Sequence, residues 1–379
     1  MPEAALPPGP VRRHRVLFLL RILLAVAITF CFLTSVKIIG ESFEMASRTW
    51  AEGLIVRVSH PIVGVLVGVL FTSLVQSSSA TTSLLVGMVA AGTMPVRMAI
   101  PVVMGANIGT TVTNTLVALG HVTRRTEFRR AISCSTMHDF FNLMAVAVIL
   151  PIEYFTHFLE HSGQFLAGLF ADVTEFNAPK SFLKQAMKPF VEAAINLFSR
   201  LDEPWGGILM GAAGAVILFV SLWLLTKTLK SLTLGRVEQS LHNYLDRHGP
   251  VGILVGAGAT AAVQSSSVTT SFMVPICAAG VLKPRHVYPV VLGANIGTTF
   301  TALIAAIGAG EVAGLTLAFT HLLFNLCGLL IFYPIPKLRI PIWLANRFAR
   351  IVFRRRWIGI AYVLTAFYGV PLLAIFLAG

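Results

Sequence analysis

Gln76-Ser77-Ser78-Ser79-Ala80-Thr81-Thr82-Ser83 is an uncharged polar run set inside apolar sequence, and it recurs as Gln264-Ser265-Ser266-Ser267-Val268-Thr269-Thr270-Ser271. Behind each copy, Gly105-Ala106-Asn107-Ile108-Gly109-Thr110-Thr111 recurs as Gly293-Ala294-Asn295-Ile296-Gly297-Thr298-Thr299. Both recurrences keep one offset, 264 − 76 = 293 − 105 = 188 residues. Two distant blocks at one offset mark an internal duplication. Hydroxyls and amides at membrane depth are what a small hydrated ion needs in exchange for its water. Backbone N–H groups freed at helix N-termini, together with the helix dipole, favour an anion. Neither run holds a Lys or Arg, so a co-bound cation is the simplest way to offset an anion's charge.

The cation has hard oxygen donors close by. Gln76, Gln264, Asn107, Asn295, Thr110, Thr298 and Thr301 supply amide and hydroxyl oxygens. The glycines beside them invite local unwinding that would free carbonyls as well. A glycine-mediated packing surface is the alternative for these segments. Asp139 is the sharpest single residue, since an ionisable group inside a membrane segment is functional by default. It could bind a cation, carry a proton or pair with a neighbour such as His138. His138 and Asn142 have counterparts in His321 and Asn325, offset by 183, while Asp139 faces Leu322. The acid therefore breaks the repeat.

The elements that must position these residues follow from composition. The 379-residue chain is 56% hydrophobic and 12% charged, too apolar for a soluble protein, so it reads as polytopic in a lipid bilayer. Its net charge of +13 gathers between apolar stretches, which is a topology signal and excludes a nucleic-acid partner. The cysteines, Cys31, Cys134, Cys277 and Cys327, lie in apolar surroundings without metal-ligand spacing. Signatures of enzymes are missing: there is no Gly-x-Ser-x-Gly elbow, P-loop or His-Glu-x-x-His. No segment could form a nucleotide domain, so the driving energy must come from an ion gradient, a partner or the solute.

Hydropathy predicts crossings near 16–39, 93–120, 131–152, 207–230, 284–308, 312–334 and 357–378, each near the ~20 residues that span hydrocarbon. The first is read as a retained helix with Arg21 near its start, not a signal peptide. Stretches 59–90 and 249–281 are broken centrally by the Gln-Ser-Ser-Ser runs and suit re-entrant half-helix pairs. Arg12, Arg13 and Arg15 place 1–15 in the cytoplasm; 121–130 and 335–356 are also basic and inside. Segment 153–206 falls outside, with seven acidic residues against four basic ones. The two hairpins then enter from opposite faces. The expected fold is an all-α polytopic membrane protein with two inverted-topology repeats, 16–155 and 207–335. Each repeat holds a re-entrant helical hairpin and a broken transmembrane helix. Segments 180–200 and 338–353 read as interfacial helices, the first within the 156–206 connection and the second leading to a last helix in 336–379.

At these residues the chain resembles the type II sodium–phosphate cotransporter family. The likeness rests on both Gln-Ser-Ser-Ser runs, both Asn-Ile-Gly-Thr segments, Thr126-Glu127-Phe128-Arg129-Arg130-Ala131 and His138-Asp139-Phe140-Phe141-Asn142. It covers roughly 60–155 and 249–335, about half the chain. It implies a symporter of the cell membrane that imports inorganic phosphate with sodium by alternating access, with no cofactor beyond the coupling ions. A homodimer is compatible with it, and so is a different small oxyanion or an anion channel. Ser77, Ser78, Ser79, Ser265, Ser266 and Ser267 would hold phosphate. Ser265, Thr298 and Thr301 match positions of one sodium site, and an Asp at position 139 accompanies electrogenic transport. The chain departs from animal members in three ways. Its 153–206 segment is short and lacks a cysteine pair and an Asn-x-Ser/Thr acceptor, it carries His121 and Arg124 where they tend to have Gln and Asp, and it has one crossing after the second repeat. A compact prokaryotic member is expected.

Overall fold

The structure, a computed structural model, describes residues 19–28, parts of 30–45, 60–90, 94–170, 182–202, 205–232, 249–263, 265–309 and 311–378. Every regular element among them is a helix. Five helices are long and apolar enough to cross a membrane: Val96–Leu119, Arg125–Thr156, Pro284–Ala306, Val312–Phe332 and Trp357–Leu377. They coincide with five of the expected crossings. The crossing at 207–230 falls in a helix over Trp205–Leu232. Of 16–39, only Leu19–Ile28 is described as a continuous helix.

The first apolar stretch folds as two helices, α1 (Pro61–Val75) and α2 (Ser78–Ala90). His60 starts α1 from an extended backbone, its Nδ1 accepting the Ile62 N–H at 3.3 Å, with Pro61 preset for the first turn. Gln76 ends it in the left-handed region at φ 58°, a conformation uncommon for a residue with a Cβ. Ser77 then starts α2, its Oγ accepting the Ala80 N–H at 3.2 Å. Next come α3 (Val96–Thr110) and α4 (Val112–Leu119), which together make one crossing with a break at Thr111. Helix α5 (Arg125–Thr156) has 32 residues, about 48 Å at the helical rise. That exceeds the ~30 Å of hydrocarbon, and its arginines, Arg125, Arg129 and Arg130, are confined to the first two turns.

The second copy runs through α6 (Gly249–Val263), α7 (Ser266–Ala279), α8 (Pro284–Ala309) and α9 (Val312–Phe332). Ser265 caps α7 as Ser77 caps α2, accepting the Val268 N–H at 3.4 Å. Gly280 ends α7 at φ 83°, where only glycine is unstrained, with Arg130 packed against it. The expected unwinding of Gly105–Thr111 and Gly293–Thr299 is not found: α8 is helical throughout, and α3–α4 breaks only at Thr111. The glycines instead allow helices to touch. A Cβ on Gly105 would lie 1.9 Å from the Val65 carbonyl oxygen, and one on Gly293 1.9 Å from that of Ile253. Gly68 against Val102 and Gly256 against Val290 repeat the same fit. Every one of these pairs is related by the 188-residue offset, so packing as well as sequence is duplicated.

The two copies also exchange partners. Helix α2 of the first packs on α8 of the second, and α7 of the second packs on α4 of the first. Behind them, α10 (Ile340–Arg354) lies along α5, burying Ala345, Ala349 and Val352 while Trp343 and Arg350 stay exposed. Such a one-sided face agrees with the amphipathic helix expected at 338–353. The helix Phe182–Phe198 covers most of the other amphipathic stretch.

Candidate functional site

Where the copies meet, the histidines and asparagines that the sequence singled out form one buried network. His138 and Asn142 are four residues apart and share a face of α5. They close on Asn295 of α8: His138 Nε2 is 2.7 Å from Asn295 Oδ1, and Asn295 Nδ2 donates to Asn142 Oδ1 at 2.7 Å. His321 and Asn325, spaced identically on α9, close on Asn107 of α3. His321 Nε2 is 3.0 Å from Asn107 Oδ1, and Asn107 Nδ2 donates to Asn325 Oδ1 at 2.9 Å. Each copy's His-x-x-x-Asn pair therefore grips an Asn of the Gly-Ala-Asn-Ile-Gly-Thr-Thr segments, and both grips cross long sequence distances. Asn142 Nδ2 joins them by donating to the Asn107 carbonyl at 2.6 Å. All six side chains are buried. A buried amide or imidazole left unpaired costs about 1–3 kcal/mol, so the two grips specify how the copies dock.

The network runs on to the second serine run. Thr270 donates to Asn114 Oδ1 at 3.0 Å and lies 2.8 Å from the Ser266 carbonyl, while Asn114 Nδ2 lies 3.1 Å from His138 Nδ1. With an amide nitrogen at Nδ1 and an amide oxygen at Nε2, the His138 ring carries its proton on Nε2. Asn114 has Ala302 at the equivalent place in the second copy, so this branch is asymmetric. The sequence offered Asn114 no motif; its mid-membrane amide was the one available signal.

At the first run, Gln76 is buried and bonded at both ends of its amide. Its Nε2 donates to the Ser73 carbonyl at 3.0 Å and its Oε1 accepts from Thr113 at 2.6 Å. Ser78, Ser79, Ser266 and Ser267 are buried, and Ser77 and Ser265 half-buried. Thr72 and Thr81 bridge the two helices of the first pair at 2.9 Å, and Thr260 and Thr269 those of the second at 3.0 Å. Thr110 and Thr298 bond back to the carbonyls of Ala106 and Ala294. Thr301, the counterpart of Thr113, has a buried hydroxyl with no partner among the described residues. Gln264, which the repeat would place opposite it, lies outside the described residues.

Asp139 is 2% exposed and is the fifteenth of the 32 residues of α5. Its Oδ2 accepts from Tyr362 at 2.9 Å and from Thr115 at 3.3 Å, while Oδ1 has no hydrogen-bond partner among the described residues. Tyr362 comes from the last crossing, and nothing in the sequence pointed to it because it belongs to neither repeat. Of the alternatives for Asp139, a pairing with His138 is not found among the described residues; the imidazole is committed to Asn114 and Asn295.

One further polar cluster stands apart from this network. Glu153 accepts the backbone N–H groups of Leu159 and Glu160 at 2.6 and 3.2 Å, and Glu160 pairs with Arg97 at 3.0 Å. A cavity of about 460 Å³ beside it is lined by His60, Arg97, Glu153, Tyr154 and His157 among others, and by none of the serine-run residues.

Residues 31–170 and 217–333 match the model of the Na+/Pi-cotransporter family. The chain belongs to that family. It is 33% identical to sodium-dependent phosphate transport protein 2B of Homo sapiens over 446 aligned positions, which take in 93% of this chain and 64% of that protein. Against sodium-dependent phosphate transport protein 2A of Rattus norvegicus the identity is 32%, over 93% of this chain and 67% of the relative. The chain thus spans about two-thirds of the length of these relatives. No solved structure matches it. Family membership and the five apolar helices make it a membrane protein.

Proposed function

We propose that this protein is a sodium-coupled symporter that imports inorganic phosphate by alternating access, moving net charge as it does so. The observation that carries this reading is the pair of breaks at Gln76–Ser77 and at Ser265, in a chain whose family is named for sodium and phosphate. At each break the serine triplet forms the cap and first residues of a helix, so hydroxyls, N-terminal N–H groups and the positive dipole end are concentrated where an anion could sit. The repeats, 16–155 and 207–335, are taken as inverted in topology, with α1–α2 entering from outside and α6–α7 from the cytoplasm. The N-terminus is cytoplasmic on the same plan.

Phosphate is assigned to Ser77–Ser79 and Ser265–Ser267. Sodium is assigned to the oxygens around Gln76, Gln264, Thr110, Thr298 and Thr301, with Asp139 shaping a further cation site. Asn107 and Asn295 are assigned to sodium as well: each gives one amide N–H and one lone pair of Oδ1 to its grip and keeps the second lone pair of Oδ1. Coupling follows from electrostatics. Desolvating phosphate is costly without a cation nearby, and each ion lowers the cost of the other reciprocally. Asp139 adds a negative charge in one copy only, which lets a cation bind there without a phosphate charge to match it.

Uptake of labelled phosphate into proteoliposomes tests the reading. An inward sodium gradient should drive accumulation that saturates with both ions. Uptake indifferent to the sodium gradient would sink the symporter, and flux that does not saturate would indicate a channel.

A further inference from the structure

Tyr362 stands outside both repeats and outside both segments that match the family model, yet it makes the shortest hydrogen bond to Asp139. The last crossing is α11 (Trp357–Val363), a π-turn over Leu364–Gly369 and α12 (Val370–Ala378). The π-turn begins two residues after Tyr362, and such turns inside α-helices occur frequently at functional sites. The Tyr362 ring is fixed on two sides, 4.8 Å from the Phe348 ring of α10 and 5.8 Å from that of Phe367 in the π-turn. Phe348 in turn packs edge-on against Phe140, the residue after Asp139, at 6.0 Å. The hydroxyl is therefore delivered to the acid by a rigid aromatic support. Six residues on, Tyr368 donates to the Ser73 carbonyl at 3.3 Å, three residues before the Gln76 break. The same crossing so touches both the acid and the first hairpin pair.

Tyr362 and Thr115 donate to Oδ2, the Thr111 hydroxyl also lies near the carboxylate, and Oδ1 is buried with no hydrogen-bond partner among the described residues. A carboxylate gripped through one oxygen can offer the other to a ligand that needs no donor hydrogen. A dehydrated monovalent cation is such a ligand. We infer that Tyr362 is a positioning residue for cation binding at Asp139, and that the last crossing is a working part of the ion site. This deepens the symporter reading and rests on it only for the identity of the cation. Tyr362→Phe removes one oxygen and keeps the ring against Phe348 and Phe367, so it isolates the hydroxyl from the packing.

The experiment reads sodium binding before it reads transport. Thermal unfolding of the purified full chain in detergent is followed as sodium chloride replaces choline chloride at constant ionic strength. Ligand that binds the folded state raises the unfolding temperature as the logarithm of one plus the ratio of its concentration to Kd, so the rise sets in near Kd. Tyr362→Phe should raise the sodium concentration at which this stabilisation sets in, the sodium midpoint, about tenfold, the size of one lost hydrogen bond to a charged group. The lost hydrogen bond also lowers the unfolding temperature without sodium, so each variant is read against its own sodium-free value. Thr115→Val should shift in the same direction by less. Asp139→Asn combined with Tyr362→Phe should show no more than Asp139→Asn alone, because the two act as one unit. In proteoliposomes the loss should appear in the sodium half-saturation and be recovered at saturating sodium. An unchanged sodium midpoint in Tyr362→Phe, additive effects in the double variant, or a wild type that sodium does not stabilise would each overturn the inference. Sodium stabilisation without phosphate uptake would count against the phosphate reading alone, and Tyr362 would still be judged by its midpoint.

Discussion

His138 of the first copy places its Nε2 2.7 Å from the side-chain oxygen of Asn295 in the second, and His321 answers with Asn107 at 3.0 Å. The relationship is reciprocal: each half holds the other's asparagine with the same His-x-x-x-Asn spacing. Duplicated sequence would be compatible with two halves that merely lie side by side. Here the duplicated polar residues bind across the interface.

The first prediction concerns that bond. Asn295→Leu leaves His138 and Asn142 each short of a buried partner and should destabilise the fold by about 2–5 kcal/mol. A double-mutant cycle with His138→Leu should return a coupling above about 1 kcal/mol. Thermal unfolding in detergent measures both, and additive effects would show that the contact is not energetically shared.

Glycine substitutions test the packing. Gly105→Ala and Gly293→Ala put a methyl group 1.9 Å from a backbone carbonyl oxygen, and neither neighbour can yield without moving a helix. Both variants should lose most of their folded yield. Gly258→Ala meets nothing within 4 Å and should be neutral or stabilising by up to about 1 kcal/mol, the helix-propensity difference. Equal behaviour of the three would contradict the close helix contacts.

Asp139 predicts a current. Asp139→Gly should abolish or reduce the charge moved per phosphate while leaving uptake measurable. Solid-supported-membrane recording alongside tracer flux gives the ratio, and an unchanged ratio would remove Asp139 from charge handling.

The helix caps at the serine runs should be separable from substrate binding. Ser77→Ala deletes the acceptor of the Ala80 N–H and Ser265→Ala that of the Val268 N–H, each costing about 1 kcal/mol of stability. On the proposed function each should also raise the phosphate concentration for half-maximal uptake. Asp is a good cap too but brings a negative charge, so Ser77→Asp should keep the stability and lose phosphate uptake. Retained uptake in Ser77→Asp would move phosphate away from this run.

The two serine runs, the glycine–asparagine segments and the lone acid were all legible from residue type and offset. A polar run inside apolar segments costs free energy wherever its groups go unpaired, and carrying it twice at one offset sets it apart from chance. The helix breaks at Gln76–Ser77 and at Ser265 were legible too, because a polar run interrupts each apolar stretch at its centre. The glycines were not fully readable. Gly with Asn and Thr is compatible with unwinding or with close packing, and only the carbonyls of Val65 and Ile253 lying against Gly105 and Gly293 decide for packing.

What the sequence determined by itself was local or periodic: which segments are apolar enough to span, where they break, that the chain is doubled, and that Asp139 spoils the doubling. The tertiary structure decided which distant residues meet. Asn107 and His321 lie 214 residues apart, and Asp139 and Tyr362 lie 223 apart. No periodicity or spacing encodes such pairs, because they depend on how helices cross once their surfaces are packed. Tyr362 is the plainest case: a tyrosine in an apolar helix carries no signal of its own until packing sets its hydroxyl on a buried carboxylate.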